Sequence, residues 1–171
     1  MATAEKILLG YGVVSVGATP IGLTRGGSVF TVEREYRPIA ADGDKGPVKG
    51  RISIDSEICK LVVNALELFS ASDITKYYPG TLVTPDNVET PTKNTLKSTL
   101  VIAAGDYNDV KWVGKTKDGK SVTIIVEDAL NMDNLSWTLE DKNEVVPSLG
   151  FTGTYDEATR STPPWSVELG V

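Results

Sequence analysis

The chain has 171 residues, of which 40% are hydrophobic and 23% charged, a balance typical of one globular domain with a buried core. Its net charge of −6 argues against a protein that grips nucleic-acid phosphates, because such proteins concentrate Lys and Arg. It has no histidine, which removes the commonest general base, Ser-His-Asp catalysis and most zinc sites. We therefore expect a single domain over residues 1–171 that is not an enzyme and holds no cofactor or metal.

The first apolar run, ILLGYGVVSVGA after Lys6, predicts a strand over residues 10–18 that ends at Thr19-Pro20. Residues 21–25 are expected to form a short partner strand that closes at Gly26-Gly27. A signal peptide is the alternative, but Glu5 in its charged region and the scattered glycines argue against it.

The same stretch begins Gly10-Tyr11-Gly12, which resembles the start of a dinucleotide-binding fingerprint. Ser15 stands where the third glycine belongs, and β-branched residues follow where a helix should begin. We therefore read these residues as a strand.

Residues 28–58 predict two strands joined by a long loop. Apolar and polar residues alternate over Val29–Arg37 and again over Arg51–Ile58, the period of a half-buried strand. The first strand places Phe30, Val32 and Tyr36 on one face, with Arg34 interrupting them. The second places Ile52, Ile54 and Ile58 on one face. The opposite faces carry the predicted acidic set: Glu33, Glu35, Asp55 and Glu57.

The loop over residues 40–50 is much longer than a tight hairpin needs, so it is either functional or flexible. Its candidate residues are Asp42, Gly43, Asp44, Lys45, Gly46, Pro47 and Lys49. A calcium loop counted from Asp42 fails, because Pro47 stands at the position that requires glycine. No Gly-Lys-Ser/Thr follows, so the loop is not a phosphate-binding loop either.

The middle of the chain predicts a strand over residues 60–69 and then a short helix over residues 70–80. Ser70 or Ser72 can cap this helix, and Pro79-Gly80 ends it. Residues 79–94 carry three prolines and are expected to be an irregular surface connection.

Further strands are predicted over residues 96–103, 110–116 and 121–127, the last two joined by a hairpin turn at Asp118-Gly119. Residues 128–134 are expected to form a turn or a short helical piece, and residues 135–139 and 144–155 to form the last core strands. Residues 156–171 should be extended, because Pro163-Pro164 bars a helix. Eight or more strands and one helix, with no βαβ alternation, predict a mainly β sandwich or barrel-like subunit with one short flanking α-helix.

The acidic set allows three functional interpretations. The acidic set could hold a carboxylate pair for sugar hydrolysis, form a solvated face, or serve assembly. A glycosidase cleft would need more aromatic residues than the 7% present here. Cys59, the single cysteine, has no histidine partner and is expected to be a small core residue.

Several segments together resemble the major tail proteins, or tail tube proteins, of long-tailed phages and prophages. The resemblance begins at residues 10–12 and 21–27 and is strongest over residues 33–68, in which EYRPIAADGDKGPVKGRISIDSEICKLVVNALEL spans residues 35–68. It continues in the helix and Tyr-Pro-Gly of residues 73–80. It ends with residues 151–156 and the closing Pro-Pro-Trp of residues 163–165.

This resemblance implies a β-sandwich subunit whose hexameric rings stack into a hollow tube that DNA traverses without specific binding. It further implies virion localisation after assembly in the host bacterial cytoplasm, with tape measure, tail terminator and baseplate proteins as partners and no membrane. On this reading the 40–50 loop reaches the adjacent ring, the acidic set lines the lumen, and Tyr77, Tyr78 and Trp165 are interface or anchor residues. A monomeric β-sandwich binding module, for example for carbohydrate, is the alternative.

Overall fold

The computed structural model describes residues 6–68 and 70–171, and it is mainly β with one α-helix. Two short 3₁₀ turns, Ala104–Asp106 and Glu157–Thr159, complete the regular structure of the described residues. The strands are β1 (Leu8–Val16), β2 (Thr19–Pro20), β3 (Thr24–Pro38), β4 (Ile52–Ala65), β5 (Thr81–Pro85), β6 (Asn94–Ser98), β7 (Asn108–Thr116), β8 (Ser121–Asn131), β9 (Ser148–Thr152) and β10 (Trp165–Leu169). The helix is α1 (Ala71–Tyr77).

Seven strands form one antiparallel sheet in the order β2-β1-β7-β8-β9-β4-β3, and β10 joins it by pairing with β8. The first part of β8 pairs with β7 and β10, whereas its end, Leu130 and Asn131, pairs with β9. Between these two parts Asp128 has φ +44°, a left-handed conformation that aspartate tolerates, and its amide donates to Asp109 Oδ1. The sheet therefore turns a corner at β8 and folds over on itself as a sandwich.

The core lies between the two halves of this folded sheet. Trp112 on β7 and Val126 on β8 face Leu61 and Val63 on β4, and all four are buried. Cys59 is also buried here, as predicted, and burial raises the pKa of its thiol. The predicted mainly β fold with a short helix is thus confirmed.

The helix follows the capping rules read from its sequence. The Ser70 hydroxyl accepts a hydrogen bond from the Asp73 amide, and Gly80 with φ +68° follows the helix end. Ile74 and Tyr77 turn inward, and the Tyr77 ring meets Phe151 edge-on at 6.4 Å. The helix therefore packs on the core beside β9.

Four predicted segments differ from the structure. Residues 60–69 do not form a separate strand, because β4 runs unbroken from Ile52 to Ala65; Phe69 lies outside the described residues. Residues 79–94 are not irregular throughout, because β5 and β6 form a hairpin there. The Asp86 carboxylate closes the turn of this hairpin by accepting hydrogen bonds from the Thr92 and Lys93 amides. The hydrogen bond from the Thr92 hydroxyl has the largest effect on the Asp86 carboxyl, followed by the two amide bonds, and together they lower its pKa to about 2.

The predicted turn over residues 128–134 and strand over 135–139 are the other differences. β8 continues to Asn131, and residues 135–139 form no strand within the described chain. The hairpin of β7 and β8 around Asp118-Gly119 is confirmed, and Gly119 has φ +85° as such a turn requires.

Candidate assembly surface

The most unusual surface feature is β3, a 15-residue strand that ends the sheet. One edge of β3 pairs with β4 from Thr24 to Pro38, and within the described residues its other edge pairs with no strand. About every second residue on that edge therefore presents its backbone N–H and C=O groups to solvent. Such an edge is a template for pairing with another chain.

The end of β3 and the start of β4 leave the sandwich as a two-stranded ribbon, here called the arm (residues 33–57). β9 pairs with β4 only between Lys60 and Asn64, so the arm lies beyond the rest of the sheet. Most of its residues are exposed on both faces. An isolated two-stranded hairpin has marginal stability in water, so the arm favours a partner.

One face of the arm is apolar and uncovered. Tyr36 lies opposite Ile54, and Pro38 lies opposite Ile52, so these four side chains share one face. More than half of the Tyr36, Ile52 and Ile54 surface is exposed. Monomeric proteins rarely leave such a contiguous apolar face open.

The loop at the arm's tip is organised by hydrogen bonds within the single subunit. The Asp44 carboxylate accepts bonds from the Ala41 amide at 2.8 Å and from Arg51 Nη1 at 2.9 Å. Gly43 and Gly50 have φ values of +91° and +84°, which require glycine. The other candidate loop residues are exposed: Asp42, Lys45, Gly46, Pro47 and Lys49.

The predicted four-carboxylate face is wrong, because Glu57 lies on the opposite face from Glu33. In the register Glu33 faces Ile58, whereas Arg34 faces Glu57. A β-bulge follows Glu35 and leaves Asp55 as an extra residue, which shifts the alternation of β4. Glu33 and Glu35 remain on the outer face of the sheet.

Glu57 and Asp55 each have an arginine partner. The Glu57 side chain is only 9% exposed and pairs with Arg34, and it also accepts a 2.6 Å bond from Trp165 Nε1. The Trp165 bond, followed by the Arg34 bond, lowers the pKa of the Glu57 carboxyl. Asp55 pairs with Arg37 at 2.6 Å, and this bond lowers the pKa of Asp55.

The three predicted aromatic interface residues serve this subunit's own core. Tyr77 and Tyr78 are buried, and burial raises the pKa of both hydroxyls. The Trp165 ring packs on Phe30 with 5.8 Å between centroids. These residues therefore pack within the chain itself, as anchors.

The free edge of β3 faces β1 across an open seam. Leu8 and Gly10 of β1 line a cleft of about 210 Å³ with Ser28 and Phe30 of β3. The rolled sheet is therefore not closed into a barrel.

The chain exposes more surface than a compact monomer of its mass. A compact monomer of 18.3 kDa has an accessible surface of about 8,100 Å². This chain exposes 11,792 Å². The exposed arm contributes to this excess of roughly 3,600 Å².

No protein-family model matches the sequence, and no curated protein matches it. Within the described residues no helix is long and apolar enough to span a membrane. The same residues hold no group of three or more Cys, Asp or Glu side chains placed to bind a metal ion.

Proposed function

We propose that this chain is a self-assembling structural subunit of the phage tail-tube type. Subunits join head to tail into hexameric rings, and the rings stack into a hollow tube through which DNA passes. The protein is then a virion component, assembled in the bacterial cytoplasm. It meets tape measure, tail terminator and baseplate proteins at the ends and lumen of the tube.

The observation that carries this proposal is the 15-residue unpaired edge of β3, extended by the arm. Natural proteins protect long edge strands with charges, prolines or bulges, because bare edges pair with other chains. β3 carries charges, Pro38 and a bulge in its second half, and an irregularity between Thr24 and Ser28. Over Ser28–Val32, however, it keeps a regular ladder to β4, bears no charge and exposes Val29. An edge of this length favours pairing with a neighbouring subunit over solvent exposure.

Ring formation follows if the neighbour offers a different edge from β3. A contact between two different surfaces is heterologous, and it yields a closed ring or an open filament. The seam beside β3 and the edge of β10 that pairs with no strand among the described residues leave such surfaces available on the same subunit. A second heterologous contact then stacks rings into a tube.

The two outward carboxylates, Glu33 and Glu35, are the remaining candidates for the lumen. Six copies would present two rings of negative charge, which repel phosphates and keep DNA moving. Asp55 and Glu57 contribute little, because arginines neutralise them.

Size-exclusion chromatography with negative-stain electron microscopy tests this proposal. The purified protein is expected to form rings or hollow tubes as concentration rises. A monodisperse single subunit that binds saccharide at an exposed tryptophan would instead support the binding-module alternative.

A further inference from the structure

A second surface of this subunit presents apolar and acidic side chains on an anchored loop, here called the knob (residues 134–143). An ion pair holds each end of the knob. Asp133 pairs with Lys60 at 2.6 Å before it, and Glu144 pairs with Arg25 at 2.7 Å after it. The loop is therefore held at both bases while its middle projects from the sheet.

The middle of the knob exposes leucines and then carboxylates. Leu139 is 77% exposed, and more than half of Leu135 is exposed. Lys142 has φ +64° in a turn directly after Glu140 and Asp141, and Asn143 Nδ2 donates to Glu140 at 2.9 Å. The turn presents two adjacent carboxylates next to an exposed leucine.

The complementary surface lies on the outer face of β1 and β7, here called the socket (Tyr11, Val13, Val113 and Lys115). Val13 and Val113 are cross-strand partners, and Tyr11 beside them is 70% exposed. The socket borders a hollow of about 440 Å³ whose floor includes Gly12 and Gly114. The Trp112 ring fills the inner side of both glycines, so their backbone bounds the hollow and the flanking Tyr11, Val13 and Val113 form its outer walls.

A lysine at the socket complements the two carboxylates of the knob in charge. Lys115 lines the hollow, and Lys111 lies on the same face four residues earlier along β7, roughly 13 Å away by strand rise. Among the described residues Lys115 has no carboxylate partner. Asp109 lies beyond Lys111 on this face, and Glu168 lies two strands away, roughly 10 Å by strand spacing, so Lys115 supplies the positive charge at the hollow itself.

We propose that the knob of one copy docks in the socket of a second copy, with Leu139 in the hollow and Glu140 and Asp141 against Lys115 and Lys111. The two surfaces differ and lie at opposite ends of β8, so the contact is heterologous and can propagate. This inference rests on the proposed self-assembly and supplies the second contact that a stacked tube requires. The charge pairs set orientation and make the contact sensitive to salt.

A charge exchange tests the docking. Lys115→Glu and Asp141→Lys should each reduce the yield of long tubes about tenfold at low salt, because like charges then meet. One chain that carries both substitutions should recover tubes, since every contact regains opposite charges. Lys97→Glu is the matched control, an exposed lysine on β6 away from both surfaces, and should assemble like the original chain.

A cross-link reports the contact without requiring tubes. A mixture of Leu139→Cys and Val13→Cys chains, treated with a mild oxidant, should give a disulfide-linked pair. Leu139→Cys mixed with Val88→Cys is the control, because Val88 is exposed but lies on the hairpin of β5 and β6. Specific cross-linking without any tubes would support the docking and refute the proposed function. Normal tubes from both charge variants, with cross-linking no greater than the control, would overturn the docking and leave the proposed function standing.

Discussion

The indole Nε1 of Trp165 donates a 2.6 Å hydrogen bond to Oε1 of Glu57, where the arm leaves the sandwich. Arg34 pairs with the same carboxylate from the neighbouring strand. The Tyr155 hydroxyl donates to the Glu57 carbonyl at 3.1 Å. These bonds tie β10 and the segment after β9 to the base of the arm, so the direction of the arm is fixed by the subunit itself.

Glu57→Ala should lower the free energy of unfolding by about 1–3 kcal/mol, because the Trp165 N–H and Arg34 lose their acceptor. Urea denaturation of the subunit under non-assembling conditions measures this change. Glu35→Ala is the control and should stay within about 0.5 kcal/mol, since Glu35 is exposed. Equal effects from the two substitutions would mean that the Glu57 bonds contribute nothing to stability.

The stabilisation from Glu57 should depend on pH with a defined sign. Its pKa in the folded subunit lies below the unfolded value of about 4.3, so folding is favoured by the ionised form. The contribution is fully present above the unfolded pKa and is lost as pH falls through the lower folded pKa. The stability difference between the original chain and Glu57→Ala should therefore shrink on acidification below about pH 4. A difference that grows on acidification would contradict the assigned direction.

Gly114→Ala should destabilise the subunit, because the Trp112 ring lies over Gly114. A Cβ at residue 114 would lie 2.1 Å from Trp112 Cη2, too close for the ring to stay. Displacing a buried tryptophan typically costs about 1–3 kcal/mol. Thermal unfolding followed by tryptophan fluorescence measures the loss. Gly105→Ala is the matched control, since a Cβ there meets no atom within 4 Å.

Glu33→Lys combined with Glu35→Lys should leave tube formation intact and slow genome ejection. The two carboxylates lie on the outer face of the sheet, and lysines in their place would attract phosphates. Ejection kinetics of virions that carry the variant, measured at low salt, check this result. Unchanged kinetics would exclude this face as the lumen lining.

Local patterns in the sequence predicted several elements correctly for physical reasons. Asp118-Gly119 supplies the positive φ of a tight turn, so β7 and β8 were found on both sides of it. Ser70, Asp73 and Pro79-Gly80 define the helix through its ends. Alternation predicted that Arg34 lies on the opposite face from Glu33, which the register confirms.

The prediction of the acidic face was wrong because the alternation of side chains along β4 changes phase at a β-bulge. Ile52 and Ile54 occupy even positions, whereas the buried Cys59, Leu61 and Val63 occupy odd ones. This change of phase within one strand is the sequence signal of an extra residue, and the structure places it at Asp55. With that signal, Glu57 would have been assigned to the inner face beside Arg34.

The missing strand over residues 135–139 has a different cause. Its leucines alternate with polar residues as in a strand, but residues 135–139 pair with no strand of the described chain, and the leucines remain exposed. Alternation of apolar and polar residues indicates that a segment can form a strand, but it does not identify the strand with which that segment pairs. The exposed knob could therefore be identified only from the structure.

Removal of the arm tests the central claim of self-assembly through β3 and β4 most directly. Glu35 and Ser56 are cross-strand partners, so Asn-Gly can replace residues 36–55 as a tight turn. The control shortens the hairpin of β5 and β6, with Asn-Gly in place of residues 86–93 between the partners Pro85 and Asn94. In electron micrographs at matched concentration, the original chain and the control should form hollow tubes, and the armless chain should remain as single folded subunits. Tubes of normal length from the armless chain, or single subunits from all three, would contradict the account.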